Sequence, residues 1–193
     1  MSAWNVKNPE ILERLLYYIA GGGEHSYTSI AGALGVDVST ASSYVNYLSQ
    51  AFLTSVCENY SPNAGKVVRK NKKLYISDNG IRNSLLRNIE LSPEDEGRAV
   101  EGCCVNAARR EAEREGYHVF FWREDKREVD VVLDKKNRLL PIEAKYRNSA
   151  DESALFGLRR FMAKFGVAEA LVVTKKHLEK KDGIYFIPFW LVD

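Results

Sequence analysis

The chain has 193 residues, 45% of them hydrophobic and 28% charged, with a formal net charge of +2; that is the balance of a globular protein with one large core or two small ones. Its longest apolar run, residues 184–192, is too short to span a bilayer and is interrupted by Pro188, and residues 1–20 lack the basic start, apolar middle and small-residue cleavage site of a secretory signal. A cytoplasmic protein without a membrane partner is expected, and since neither half is basic overall, any nucleic-acid affinity has to come from local patches.

In residues 9–20, Ile11, Leu12, Leu15, Leu16 and Ile19 form one helical stripe, with Pro9 in the first turn and three glycines, Gly21 to Gly23, as the stop. A short helix over 27–34 closes at Gly35, and a turn leads to Ser39 as the expected N-cap of a third helix over 40–50. Two short helices around a Gly-containing turn make a helix-turn-helix. Strands over 52–57 and 73–77 enclose a polar loop, so the first domain, residues 1–90, reads as a winged helix, with a further short helix over 79–86 capped by Asp78. Its third helix offers Ser39, Thr40, Ser42, Ser43, Tyr44, Asn46, Tyr47 and Gln50 to the surface but no Lys or Arg, and so lacks the commonest base-reading side chain. Lys66, Arg69, Lys70 and Lys72 in the wing suit phosphate contacts; the competing reading is a solvated wing on a domain that packs against protein.

Residues 91–94 read as a linker to a second domain over 95–193. A helix over 95–115 ends at Gly116, followed by a strand over 118–122, a hairpin with arms 128–133 and 139–146, a helix over 152–165, and strands over 170–174 and 184–188. This order gives a mixed sheet with helices packed on it. The aromatic run Phe120, Phe121 and Trp122 reads as core, and the apolar end at Phe189 and Trp190 as a homodimer contact if it is exposed. Arg109, Arg110, Arg114, Arg123, Lys126 and Arg127 are a candidate track for a phosphate backbone near the site, but mixed with Glu111, Glu113, Glu115, Glu124 and Asp125 they read as a solvated face with ion pairs. Cys57 stands alone, Cys103 and Cys104 are adjacent, and the three histidines are scattered, so neither a disulfide nor a zinc site is expected.

The hairpin carries the chemistry. Strict alternation puts Glu128, Asp130 and Val132 on one face of the first arm, opposite Val129 and Val131, and pairs Glu143 with Lys145 on one face of the second. A carboxylate inside so apolar a run is costly to bury unless compensated, and two carboxylates about 4 Å apart repel by roughly 4 kcal/mol at an effective dielectric near 20. A divalent cation removes that penalty, and hard oxygen donors suit Mg²⁺ or Mn²⁺. Asp130 and Glu143, with the Ala144 carbonyl, are the expected ligands; Lys145 is placed to stabilise charge growing on a phosphoryl group. Glu128 shares the face of Asp130 but reads as an ordinary residue at the strand mouth.

The string Glu128-Val129-Asp130, followed by Glu143-Ala144-Lys145, resembles the PD-(D/E)xK nuclease superfamily of restriction endonucleases and Holliday-junction resolvases. That resemblance implies a helical acid before the hairpin, a place matched by Glu101, which it makes a fourth catalytic residue and a further metal ligand. The whole chain resembles, more narrowly, the domain of unknown function that follows the ATPase module in many archaeal and bacterial AAA-type ATPases: Lys73-Leu74-Tyr75-Ile76-Ser77-Asp78-Asn79-Gly80, then Glu101, Trp122-Arg123 and the two hairpin strings stand in matching order. Val129 replaces the proline that names the superfamily, and Ala64-Gly65-Lys66-Val67 is no phosphate-binding loop, so no ATPase activity is expected. Taken together, the expectation is an α+β protein, a winged helix followed by a restriction-endonuclease-like domain, cleaving DNA with Mg²⁺ or Mn²⁺ in partnership with an AAA-type ATPase module in cis or trans. The alternatives are a non-catalytic adaptor of such an ATPase and a DNA-binding regulator.

Overall fold

The computed structural model describes all residues except 1–5, 7, 64–66, 68–70, 89, 137, 149–154 and 193. The fold is α+β, and it divides into two compact units, the first comprising residues 1–57 and 69–90 and the second residues 58–68 and 91–193. Among the described residues no helix is long and apolar enough to cross a membrane.

In the first unit, α1 (Pro9–Ala20) begins where the Asn8 side chain accepts hydrogen bonds from the amides of Glu10 and Ile11. A two-residue strand, β1 (Glu24–His25), follows; it is too short to leave a periodic signal. Helix α2 (Tyr27–Leu34) starts on a reciprocal Ser26–Ser29 capping box and ends at Gly35, whose φ of +69° is a left-handed turn that favours glycine. Helix α3 (Val38–Gln50) is capped by Asp37 rather than by Ser39. The Asp37 carboxylate accepts from the Thr40 amide at 2.8 Å and from both neighbouring hydroxyls, so Ser39 serves the cap instead of being it. Tyr44, expected on the outer face of this helix, is buried, and its hydroxyl accepts a hydrogen bond from the Asn8 amide at 3.1 Å. Strand β2 (Thr54–Asn59), whose last two residues belong to the second unit, starts later than expected because Phe52 takes a positive φ of 58° as it leaves the helix. Strand β3 (Lys72–Ile76) pairs antiparallel with β1, and α4 (Asn79–Leu86) is capped by Asp78. Leu15, Ile19, Ile30, Ala41, Val45 and Leu74 form the core, so all three leading helices direct their apolar stripes to one centre.

In the second unit, α5 (Pro93–Glu115) takes up the expected linker: Ser92 is its N-cap, Pro93 and Glu94 are already helical, and Glu94, Asp95 and Glu96 complement the helix dipole. Then come β4 (His118–Glu124), β5 (Arg127–Lys135) and β6 (Arg138–Lys145), paired antiparallel in sequence. Helix α6 (Phe156–Phe165) is shorter than the expected helix, whose start at residues 152–154 lies outside the described residues. Strands β7 (Ala170–Thr174), β8 (Glu179–Lys181) and β9 (Ile184–Pro188) complete the order β4-β5-β6-β7-β9-β8, with β6, β7 and β9 parallel. Glu58 and Asn59 lie parallel to Phe120 and Phe121 on the other side of β4. Under α6 the core gathers Trp122, Val129, Val132, Leu158, Phe161 and Val172. Phe121 and Trp122 are buried as expected, whereas Trp190 and Leu191 in the closing turn are exposed. All three cysteines are free thiols.

Candidate metal centre

The site is set by an irregularity in the sheet. The β5–β6 ladder runs from Lys135 opposite Arg138 to Val131 opposite Ile142, and Asp130 and Glu143 are the next residues outward. On the other side of β5 the register shifts, Phe120 facing Val132 but Trp122 facing Val129. An extra residue on β5 at this bulge breaks the two-residue alternation. Val129 and Val132 consequently enter the same apolar core, and the expected separation of Asp130 and Val132 from Val129 and Val131 does not hold. Asp130 instead comes together with Glu128 of its own strand and Glu101 of α5: one carboxylate oxygen of each lies within 4.8 Å of the others.

Each acid is held differently. Asp130 is 8% exposed, and its Oδ2 accepts a hydrogen bond from the Ala144 amide at 2.9 Å. Glu128 pairs with the Arg123 guanidinium at 2.7 Å. Glu143 is 4% exposed and receives the Lys145 ammonium on Oε1 at 2.5 Å, while its Oε2 is buried with no hydrogen-bond partner. Burial pushes the Glu143 carboxyl above its ordinary value, against the pull of Lys145 and of a backbone hydrogen bond from Asp130, and the Glu128 charge adds to the rise. For Lys145 burial works the other way, but the charges of Glu143, Asp130 and Glu101 outweigh it and raise the ammonium above the usual lysine value. The two shifts differ because Glu143 is the more deeply buried partner; the attraction is common to both, and desolvation prevails only at the carboxyl.

Of the expected residues, then, Glu101 and Asp130 meet, and Glu143 and Lys145 form a pair beside them. Glu128, read from the sequence as an ordinary strand residue, is the third member of the cluster. Its signal was present in the two-residue spacing from Asp130; what the sequence lacked was the approach of α5. The backbone contact made by Ala144 toward the acids is through its N–H. In the wing, Lys66, Arg69 and Lys70 lie outside the described residues, and Lys72 sits half-buried with its ammonium 5.9 Å from the Tyr27 ring.

The donor set fits a hard divalent cation. All its atoms are carboxylate oxygens, and oxygens about 2.1 Å from one Mg²⁺ stand roughly 3 to 4 Å apart, so a group already within 4.8 Å could hold such an ion after small side-chain movements. The orphaned Glu143 Oε2 is a buried acceptor in need of a partner. Cys104, one helical turn from Glu101, is no soft ligand: burial, helped by the charges of Asp130, Cys103 and Glu101, drives its thiol far above the ordinary range, leaving it neutral.

Two family models match the chain. One, described as a domain of unknown function (DUF8612), matches residues 3–92; the other, described as a domain of unknown function (DUF4143), matches residues 96–192, half of the chain. No curated protein matches significantly. Among solved structures, the chain is similar to protein VC1899 from Vibrio cholerae, at 16% identity and a TM-score of 0.38, covering 95% of this chain and 49% of that one. The chain thus spans about half the length of that protein.

Proposed function

The chain belongs to the DUF4143 family of domains of unknown function, and from that premise we propose that its second unit is a Mg²⁺- or Mn²⁺-dependent phosphodiesterase module acting on DNA. The observation that carries the proposal is the convergence of Glu101, Glu128 and Asp130 oxygens within 4.8 Å beside the buried Glu143–Lys145 pair. Glu101, Glu128 and Asp130 would hold the ion, and Glu143 Oε2 is the oxygen free to join them. Once bound, such an ion lowers the pKa of a water and polarises a phosphoryl oxygen. The chain's own residues do the rest. The Ala144 amide donates to Asp130 Oδ2 and so orients that carboxylate. Lys145, kept protonated by the acids around it, serves as a fixed positive charge for the oxygens of the phosphoryl group rather than as a base. The order α2, α3, β2, β3 in the first unit supports a winged helix that brings this centre to DNA. The DUF4143 family is commonly found in AAA-ATPase-associated proteins, and with no phosphate-binding loop in the sequence, we assign an AAA-type ATPase as the partner that supplies the motor.

The test is Mn²⁺ calorimetry together with cleavage of linear and branched DNA. Wild type binds Mn²⁺ and cleaves; Asp130→Ala loses measurable binding, and its cleavage falls by about 100-fold or more. Cleavage that survives the substitution would sink the assignment. One observation favours a second reading, a non-catalytic protein-interaction module: the exposed stripe of α3, formed by Ser39, Ser43, Asn46 and Gln50, carries no cation. A wild-type chain that neither binds Mn²⁺ nor shifts DNA at low salt would select it.

A further inference from the structure

We infer that Arg123 is a phosphate-binding residue held in reserve by Glu128: its guanidinium pairs with Glu128 while the acid cluster carries no metal, and turns to a phosphodiester oxygen of the nucleic-acid strand when a divalent ion takes that carboxylate. The inference rests on the phosphodiesterase reading above and adds to it the residue that meets the substrate.

Arg123 is anchored at its backbone, and its side chain is partly exposed. The buried side chain of Asn59 donates through Nδ2 to the Arg123 carbonyl and accepts the Arg123 amide on Oδ1, both at 3.3 Å. Asn59 is itself held in register beside Phe121 of β4. The Arg123 side chain is nonetheless 43% exposed, twice the 21% of Glu128. The two residues face each other across the β4–β5 ladder, and Nη2 stands 2.7 Å from Glu128 Oε2. Glu128 also contributes an oxygen to the group shared with Glu101 and Asp130. The same carboxylate therefore answers to two cations, and a dication drawn to it repels the guanidinium. The displaced arginine stays tethered at the edge of the centre, with a planar fork that matches two oxygens of a phosphate. Glu143, nine-tenths buried beside this cluster with Oε2 lacking a partner, is a second and independent sign that the centre takes a cation.

A purely structural cross-strand pair predicts something different. If Arg123 only ties β4 to β5, its removal leaves Glu128 poorly placed, and metal affinity falls or stays unchanged. If Arg123 competes with the ion, its removal tightens metal binding and weakens nucleic-acid binding.

The experiment uses the full chain, with Arg123→Gln and Arg123→Lys checked by circular dichroism for a wild-type fold. Mn²⁺ affinity is read by calorimetry, and binding of a fluorescent DNA duplex by anisotropy with Ca²⁺ replacing Mn²⁺. Arg123→Gln is expected to bind Mn²⁺ about 3- to 10-fold more tightly, the scale of one nearby unit charge, and DNA about 10-fold more weakly for loss of a charge-assisted contact. Arg123→Lys, which keeps the charge without the fork, holds Mn²⁺ affinity near wild type yet loses most of the DNA affinity. Wild-type Mn²⁺ binding with Arg123→Gln indistinguishable or weaker overturns the inference alone. A wild-type chain that binds no Mn²⁺ overturns the phosphodiesterase reading and this inference with it.

Discussion

In the first unit the buried polar side chains serve separate local needs. His25 lies in β1 against the Tyr18 ring, Lys73 in β3 and Arg82 in α4. In the second unit the buried acids Asp130 and Glu143 stand on adjoining strands, and the acid group that can hold a cation, found among the described residues, lies wholly there. Both units have ordinary apolar cores of similar make-up, so packing does not explain the contrast. What separates them is backbone regularity. The first unit is built from capped helices whose polar termini are satisfied locally, whereas the second breaks its central strand with a bulge and draws a helix acid to it. Burial of charge becomes a functional sign when several such groups converge at a defect of this kind, and not when each is alone.

The largest expected effect on this contrast comes from Gly157. A Cβ there would lie 2.2 Å from the Glu128 carbonyl oxygen and 3.1 Å from the Glu128 amide nitrogen, so α6 rests directly on the backbone of a cluster residue. Gly157→Ala is expected to destabilise the fold by about 1 to 3 kcal/mol, the usual range for overpacking, despite the better helix propensity of alanine. The displaced Glu128 should also weaken Mn²⁺ binding. Urea denaturation and calorimetry on one sample check both. Wild-type stability and Mn²⁺ affinity in the variant would mean that β5 yields freely, and the defect would then not be what holds the cluster.

Much of this architecture was legible beforehand, for identifiable reasons. Periodic apolar stripes and glycine stops located α1, α2, α5 and the hairpin, because Leu15, Ile19, Val131 and Ile142 have to face a core. Strands β1 and β8 were missed; two or three residues such as Glu24–His25 carry no periodicity. Capping of α3 was misassigned because Asp37 and Ser39 are both competent caps, and the choice depends on which side chain reaches the Thr40 amide. At the site, Asp130, Glu143 and Lys145 stood out as charge within apolar strands. Glu101 was found only by resemblance, and Glu128 was set aside, since their meeting depends on a bulge and on helix packing that local spacing does not encode.

A smaller effect sharpens the first-unit side of the comparison. Asp37 accepts from the Thr40 amide and from the hydroxyls of Ser39 and Thr40, and those bonds hold its carboxyl well below the usual range. If α3 depends on this one local cap, Asp37→Ala lowers Tm clearly, Asp37→Asn keeps most of the stability, and Ser39→Ala has the least effect because it removes only a supporting bond. A thermal melt of the three variants decides it; an equal loss from Ser39→Ala would restore Ser39 as the cap.

The smallest expected effect is a difference of sign with pH. Desolvation lowers the pKa of His25 below its ordinary value of 6.5, and neither ring nitrogen has a hydrogen-bond partner. The unfolded chain therefore binds the proton more readily, and stability present above pH 6.5 is lost as pH falls below it. Glu143 behaves in the opposite sense. Its carboxyl is raised above 4.5, so its contribution is full below pH 4.5 and is lost as pH rises through the folded value. Acidification from pH 6.5 toward 4.5 should accordingly weaken the first unit at His25 while relieving the second at Glu143. Amide hydrogen exchange, corrected for intrinsic rates, separates them: protection at Ile30 and Val45 is expected to fall relative to that at Val131 and Val172. His25→Phe should remove the fall at Ile30 and Val45, and Glu143→Gln should remove the relative gain at Val131 and Val172. A parallel decline in both units that neither substitution alters would mean that neither the isolated burial of His25 nor the convergence of the acids leaves a signature in stability.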